Sequence, residues 1–194
     1  MKSCILIISL IFWNFSFSQE GFKTIYKAEK LIQKNKLNRA MKLLCQADSM
    51  DYGFCGNAKL EAKSSIAYNK SQIYYKQGNL LQAINSINSA NFGFFGKDLD
   101  QLDSTTIVYC IDLYGKEKVK QEIDSALTLL KVKDLNYYFY SEVPLKLGFL
   151  PNFLYLEIQS NSKELFWQGK SEDEKMELLK SLIREKSFYK LLEN

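Results

Sequence analysis

Apolar and small residues recur along this chain at helical spacing, and the whole set recurs 43 residues later. Ala28, Leu31, Asn35, Leu37, Ala40, Leu44 and Ala47 align at that offset with Ser71, Tyr74, Gly78, Leu80, Ala83, Ile87 and Ala90. Within each set, steps of three and four residues place the apolar positions on one side of a helix. A period of this size predicts helical hairpins that stack, because one hairpin cannot bury its apolar face alone. In the second copy the pattern predicts a first helix over 57–76, a turn at Gln77-Gly78-Asn79 and a second helix over 80–91. Gly78 marks the break, since a left-handed helix cap costs glycine least. Asn35 stands in its place in the first copy and is the next most tolerant residue there. Ala83 is expected to be small so that the two helices of a hairpin approach closely.

The connections repeat as well. Tyr52-Gly53-Phe54-Cys55-Gly56 matches Phe92-Gly93-Phe94-Phe95-Gly96 at an offset of 40. An aromatic residue framed by glycines predicts a turn that tucks Phe54 or Phe94 onto the end of a hairpin. A degenerate third hairpin keeps the spacing through Ile107, Cys110, Tyr114, Val119, Ile123 and Ala126. Its turn is expected at Tyr114-Gly115-Lys116, with Asp103 or Ser104 as the N-cap of its first helix. From residue 134 the period is lost. Pro151 fits the first turn of a helix, and Ser171 with Glu174 has the spacing of a capping box. That box opens an amphipathic helix with Met176, Leu179, Leu182, Ile183 and Leu191 on one side. The expected fold class is all-α: tandem helical hairpins over 19–133, stacked as an α-solenoid, with a C-terminal helical cap over 134–194 packing on them.

The N-terminus changes the setting. Lys2 followed by the apolar run from Cys4 to Trp13, then Ser16-Phe17-Ser18, has the layout of a secretory signal. Cleavage is expected after Ser18, leaving a chain that begins at Gln19; the alternative is an uncleaved N-terminal anchor, for which the apolar run is short of the roughly 20 residues a bilayer needs. No later segment is long and apolar enough to predict a membrane span. An exported chain, periplasmic or extracellular, follows, with association with the cell envelope left open. Export permits disulfides, and Cys45, Cys55 and Cys110 remain after cleavage. The sequence leaves two readings for them: three small buried residues, or a Cys45–Cys55 bridge with Cys110 left over.

At the repeated residues the chain resembles the tetratricopeptide repeat family. Tyr74-Tyr75-Lys76-Gln77-Gly78-Asn79-Leu80-Leu81-Gln82-Ala83-Ile84 looks like that family's turn and second helix. Ser71 and Ala28 stand at its small position, Tyr74 and Leu31 at its Tyr position, Ala83 and Ala40 at its Ala position, and Ile87 and Leu44 at its Phe position. Thr24 and Ala67 replace its Trp, Lys27 and Lys70 replace its Leu, and its closing Pro is missing. The likeness covers residues 22–91. It implies that the first helix of each hairpin lines a concave face that takes a peptide or protein. On that face the register places Ile25, Glu29 and Ile32 in the first copy, and Tyr68, Gln72, Tyr75 and Lys76 in the second. Tyr68, Asn69 and Gln72 stand where the family's carboxylate-gripping groove has Lys and Asn.

Composition narrows the chemistry. The 194 residues carry 26 Lys and Arg against 22 Asp and Glu, a net charge of +4 that no basic run concentrates, so nucleic-acid binding is not indicated. There is no histidine in the sequence, which excludes Ser-His-Asp and Cys-His nucleophiles and His-ligated metals. Phosphate-binding glycine loops and CxxC pairs are missing too. Asp98, Asp100 and Asp103 fail the calcium-loop pattern. Together with Glu172, Asp173 and Glu174 they read as solvated faces. The expectation is a non-enzymatic, exported scaffold or adaptor without metal or cofactor. Its candidate partner-binding residues are Tyr68, Gln72, Tyr75, Lys76 and Glu29. The rival reading is a cell-envelope carbohydrate-binding protein or glycosidase built on carboxylates and aromatics.

Overall fold

The computed structural model describes residues 20–53, 56–90, 97–130, 141–158 and 169–193. The expected signal segment, Phe54, Cys55 and the whole of 92–96 lie outside them. The chain divides into two compact units, residues 1–93 and 94–194. Helices make up most of the described residues, as the apolar periodicity predicts, and none of them is long and apolar enough to cross a membrane.

In the first unit α1 runs over 20–33, α2 over Leu37–Asp48, α3 over Gly56–Lys76 and α4 over Leu80–Asn88. The two turns that join them have the same geometry. Asn35 N–H donates to Ile32 O (2.9 Å) and Lys36 N–H to Leu31 O (2.8 Å). Gly78 N–H donates to Tyr75 O and Asn79 N–H to Tyr74 O, both at 2.9 Å. Each is a Schellman cap, in which two otherwise unpaired carbonyls of the last turn are satisfied by residues just beyond it. The cap needs a left-handed residue, and Asn35 (φ 55°) and Gly78 (φ 79°) supply it.

The aligned residues share burial as well as sequence. Ala28, Ala40, Leu44, Ala47, Ser71, Ala83, Ile87 and Ala90 are all fully buried. α2 has 12 residues and α4 has nine. Both end alike, with Ser49 Oγ donating to Gln46 O and Ser89 Oγ to Ser86 O. Those caps are 40 residues apart, so α4 ends about one turn early, and the 40-residue offset of the following segments has that cause. Lys70 pairs with Asp48 at 2.8 Å between α3 and α2, and Ser86 Oγ donates to Ala67 O between α4 and α3.

Tyr52 closes the end of this unit among the described residues. Its ring is 4% exposed, meets Phe22 edge-on at 5.4 Å, and its hydroxyl donates to Ala47 O at 2.9 Å. Gly21 makes room for it: a Cβ there would stand 2.5 Å from Tyr52 Cε1. A buried, hydrogen-bonded ring cannot swing aside cheaply. Gly21→Ala is therefore expected to lower the stability of this unit by about 1–3 kcal/mol, as overpacking does, measured by chemical denaturation; an unchanged midpoint would show that the ring yields freely.

In the second unit α5 runs over Lys97–Tyr114 and α6 over Lys116–Leu129, joined by Gly115 alone at φ 85°. The turn falls where the spacing places it. Asp103 and Ser104 do not cap α5, which starts at Lys97. Ser104 lies inside the helix and its hydroxyl donates to Asp100 O at 2.7 Å. Strand β1 (Ser141–Leu145) then pairs antiparallel with β2 (Leu154–Ile158), Val143 opposite Leu156 and Leu145 opposite Leu154. Pro151 thus precedes a strand and not a helix. Apolar residues at 154, 156 and 158 have a period of two, and Lys146 Nζ ties the loop by donating to Leu150 O and Pro151 O. A lone two-stranded hairpin is marginal in water. This one leans on helices: β1 packs against α6, β2 against α5, and Gly148 N–H donates to Glu122 of α6 at 3.1 Å. The Phe149 ring stacks on Tyr114 with centroids 5.0 Å apart.

Two short helices finish the unit, α7 (Glu172–Arg184) and α8 (Ser187–Glu193). The Ser171–Glu174 capping box is present. Its hydrogen bonds from Ser171 hold the Glu174 carboxyl below its ordinary range. α7 buries Leu179 and Ile183, in line with the apolar stripe. Leu191 departs from it at 40% exposed, because the chain breaks after Arg184 and α8 turns Phe188, Tyr189 and Leu192 inward instead. α8 packs mainly on α5, and Tyr189 Oη donates to Asp124 of α6 at 2.8 Å.

Candidate partner-binding face

The candidate face belongs to α3 and its neighbour α1. Tyr68, Gln72 and Tyr75 follow one another at steps of four and three, so they share one side of α3. All three are half-buried, and Lys76 at the end of the helix is exposed. A cation in the last turn also suits the negative end of the helix dipole. Tyr68 and Tyr75 both have interaction partners, so neither ring stands free.

Glu29 is half-buried on α1, and its Oε1 accepts from Asn69 Nδ2 at 3.1 Å. Asn69 itself is 3% exposed and also donates to Ser65 O at 2.9 Å. A buried amide bonded to a carboxylate fixes the two helices against each other, since leaving either group unpaired would be costly. Glu29 therefore lies beside α3, next in space to the residue that follows Tyr68. Ile25 and Ile32 do not belong to an outward face: each is 3% exposed and sits in the core with Ala28. They stand three before and four after Ala28, and a helix puts all three on the same inner side. The exposed aromatic on α1 is Tyr26, with Lys30 Nζ 4.3 Å from its ring centroid.

The cysteines and acids complete the inventory. Cys45 is exposed on α2, whereas Cys55 lies outside the described residues. Cys110 is fully buried, and burial pushes its thiol up to about 12, which leaves it an inert apolar filler at neutral pH. Among the described residues no three acids or cysteines are grouped to hold a metal ion.

Asp103 is not on a solvated face. It is 2% exposed, and Oδ1 of both Asp103 and Asp100 is buried without a hydrogen-bond partner. Burial drives the Asp103 carboxyl well above its ordinary range; Lys186 pulls it back and Asp100 adds to the rise. The signal for this burial was in the spacing. Leu99, Asp103, Thr106 and Cys110 stand at steps of four, three and four, on one side of α5, and all are buried. In comparisons with known proteins, no family model, curated protein or solved structure matches the chain.

Proposed function

We propose that this chain is a non-catalytic, exported interaction protein built on tetratricopeptide-like helix pairs, and that α3 with the adjoining part of α1 takes a peptide or protein partner. The observation that carries the reading is the pair of matching Schellman turns 43 residues apart, at Asn35 and Gly78. The Glu29–Asn69 bond ties α1 to α3 beside Tyr68, although Ile25 and Ile32, which stand 43 residues before Tyr68 and Tyr75, turn into the core. Tyrosine offers large contact area with few torsions to freeze. Gln72 between the two tyrosines has the donors and acceptor to pair with an extended backbone. Lys76 and the second oxygen of Glu29 place one charge of each sign at the margins.

The test is selection of peptides on the purified chain, followed by the double replacement of Tyr68 and Tyr75 with Ala. Binding of the selected peptides is expected to weaken at least tenfold, about 1.4 kcal/mol, with helical content retained. Loss of helical content in the double variant would make the tyrosines core residues. Unchanged peptide affinity in a folded variant would place the binding surface elsewhere.

A further inference from the structure

The helix α1 gathers positive charge that no run of consecutive residues displays. Lys23, Lys27, Lys30 and Lys34 follow one another at steps of four, three and four, so they share one side of α1. Lys34 continues the helix, its N–H donating to Lys30 O at 3.3 Å. All four side chains are exposed, and the stripe runs about 16 Å along the axis. It stands opposite the side on which Ile25, Ala28 and Ile32 are buried. Exposed Arg39 and Lys42 follow on α2. Between residues 21 and 47 the sequence has one acid, Glu29, and Asn69 engages it. Among the described residues the ion pairs are Lys70–Asp48, Lys175–Glu172 and Lys180–Glu177, so no carboxylate neutralises the stripe. Tyr26 flanks it at 57% exposure, with Lys30 Nζ 4.3 Å from its ring centroid. Residues 94–194 carry 17 Asp and Glu against 14 Lys and Arg, so the positive excess of the chain belongs to the first unit.

We propose that this lysine stripe rests the protein on an anionic phospholipid surface. The charge chemistry favours that occupant. A lysine ammonium is a compact point charge that asks for no fixed partner geometry, and the headgroups of a fluid bilayer offer none. A peptide carboxylate or a base edge is matched better by the fork of arginine, and the stripe has no arginine. A straight row on the solvent side of a helix meets a flat surface along its whole length. The exposed Tyr26, an apolar ring with a polar tip, suits the headgroup layer. The apolar side of α1 is already packed in the core, so the helix lies on the bilayer and does not insert. Docking therefore exposes no buried side chain and forfeits no internal contact. Each ammonium adds about fivefold to the partition. The surface field decays within about 10 Å at 0.1 M salt, so the attachment is reversible and sensitive to ionic strength. The stripe shares no residue with the proposed peptide face, and the two are tested separately.

Co-sedimentation of the whole chain with phosphatidylcholine vesicles, with and without one third phosphatidylglycerol, reads the attachment. Neutral vesicles record whatever the apolar N-terminal run contributes, and the preference for anionic vesicles is the measured quantity. That preference is expected to be clear at about 0.1 M salt and to vanish by about 1 M. Replacing Lys23, Lys27, Lys30 and Lys34 with Gln is expected to lower it at least thirtyfold, roughly, while replacing all four with Arg keeps it. Replacing Lys116, Lys118, Lys120 and Lys170 of the second unit with Gln removes the same net charge and is expected to leave most of the preference. No preference for anionic vesicles, a preference indifferent to salt, or equal losses in the two Gln variants would each overturn the proposal. Release from the vesicles by polyglutamate or by a single-stranded oligonucleotide at matched charge would assign the stripe to an acidic protein or a nucleic acid instead, and would overturn it too.

Discussion

Replacing Phe188 with Ala is expected to destabilise the second unit by about 3–5 kcal/mol, among the largest costs a single change can impose here. Phe188 is fully buried and, among the described residues, is the largest of the fully buried side chains. It sits at the start of α8, which has only seven residues and too few internal hydrogen bonds to persist alone. The helix is held by what it buries: Phe188, Tyr189 and Leu192, with the Tyr189–Asp124 bond as the polar tie. Removing the ring deletes the transfer energy and leaves a cavity that a short helix pinned by Tyr189 does not easily close. A drop in the denaturation midpoint of the second unit, with α8 amides exchanging fastest, is the expected record. A midpoint equal to that of the unchanged protein would show that α8 contributes nothing to the cooperative unit.

The burial of Phe188 also shows where the sequence misleads. A single amphipathic helix from 172 through 191 satisfies the apolar spacing and puts Leu191 on the buried side. The chain instead stops α7 at Arg184, and Lys186 N–H turns back to Ile183 O before α8 begins. Neither Gly nor Pro marks that break, so nothing local announces it. The β-hairpin went unread for a related reason. Its strands are five residues each, and Pro151 carries a stronger helix-start signal than either strand carries a strand signal. By contrast, the turns at Asn35 and Gly78 were legible because left-handed backbone admits few residue types. The inner faces of α1 to α4 were legible because small residues repeat where helices approach closely. The outward face of α1 was half misread: Glu29 lies beside α3, but Ile25 and Ile32 belong with Ala28 in the core. Asp103 reads as an N-cap or a solvated charge because a charge on a helix is usually solvated, although its register sets it among Leu99, Thr106 and Cys110, where it is buried.

Ala83→Leu is expected to cost the first unit about 1–3 kcal/mol, and it tests the close approach on which the paired-helix reading depends. Ala83 opens the buried stripe of α4 and is fully buried, as are Ile84 and Ile87 on the same helix. Its N–H bonds to Asn79 O at 2.9 Å, so the residue is fixed in the first turn of the helix, directly beyond the Gly78 cap. α4 makes its main contact with α3, where Ile73 and Ser71 are likewise fully buried. Leucine adds three carbons at a point where the Gly78 turn pins the ends of both helices. The side chain then has to take a strained rotamer or push α4 away from α3, and the Ser86 hydroxyl bond to Ala67 O would stretch with that movement. Ala40 occupies the matching place in α2 and is equally buried, so Ala40→Leu is expected to cost a similar amount. Chemical denaturation of the two variants beside the unchanged chain gives both numbers. Matching losses at positions 43 residues apart would fit two helix pairs built to one pattern. A loss at Ala83 with none at Ala40 would mean that the two turns are alike while the packing behind them is not. No loss at either would mean that neither alanine marks a close approach.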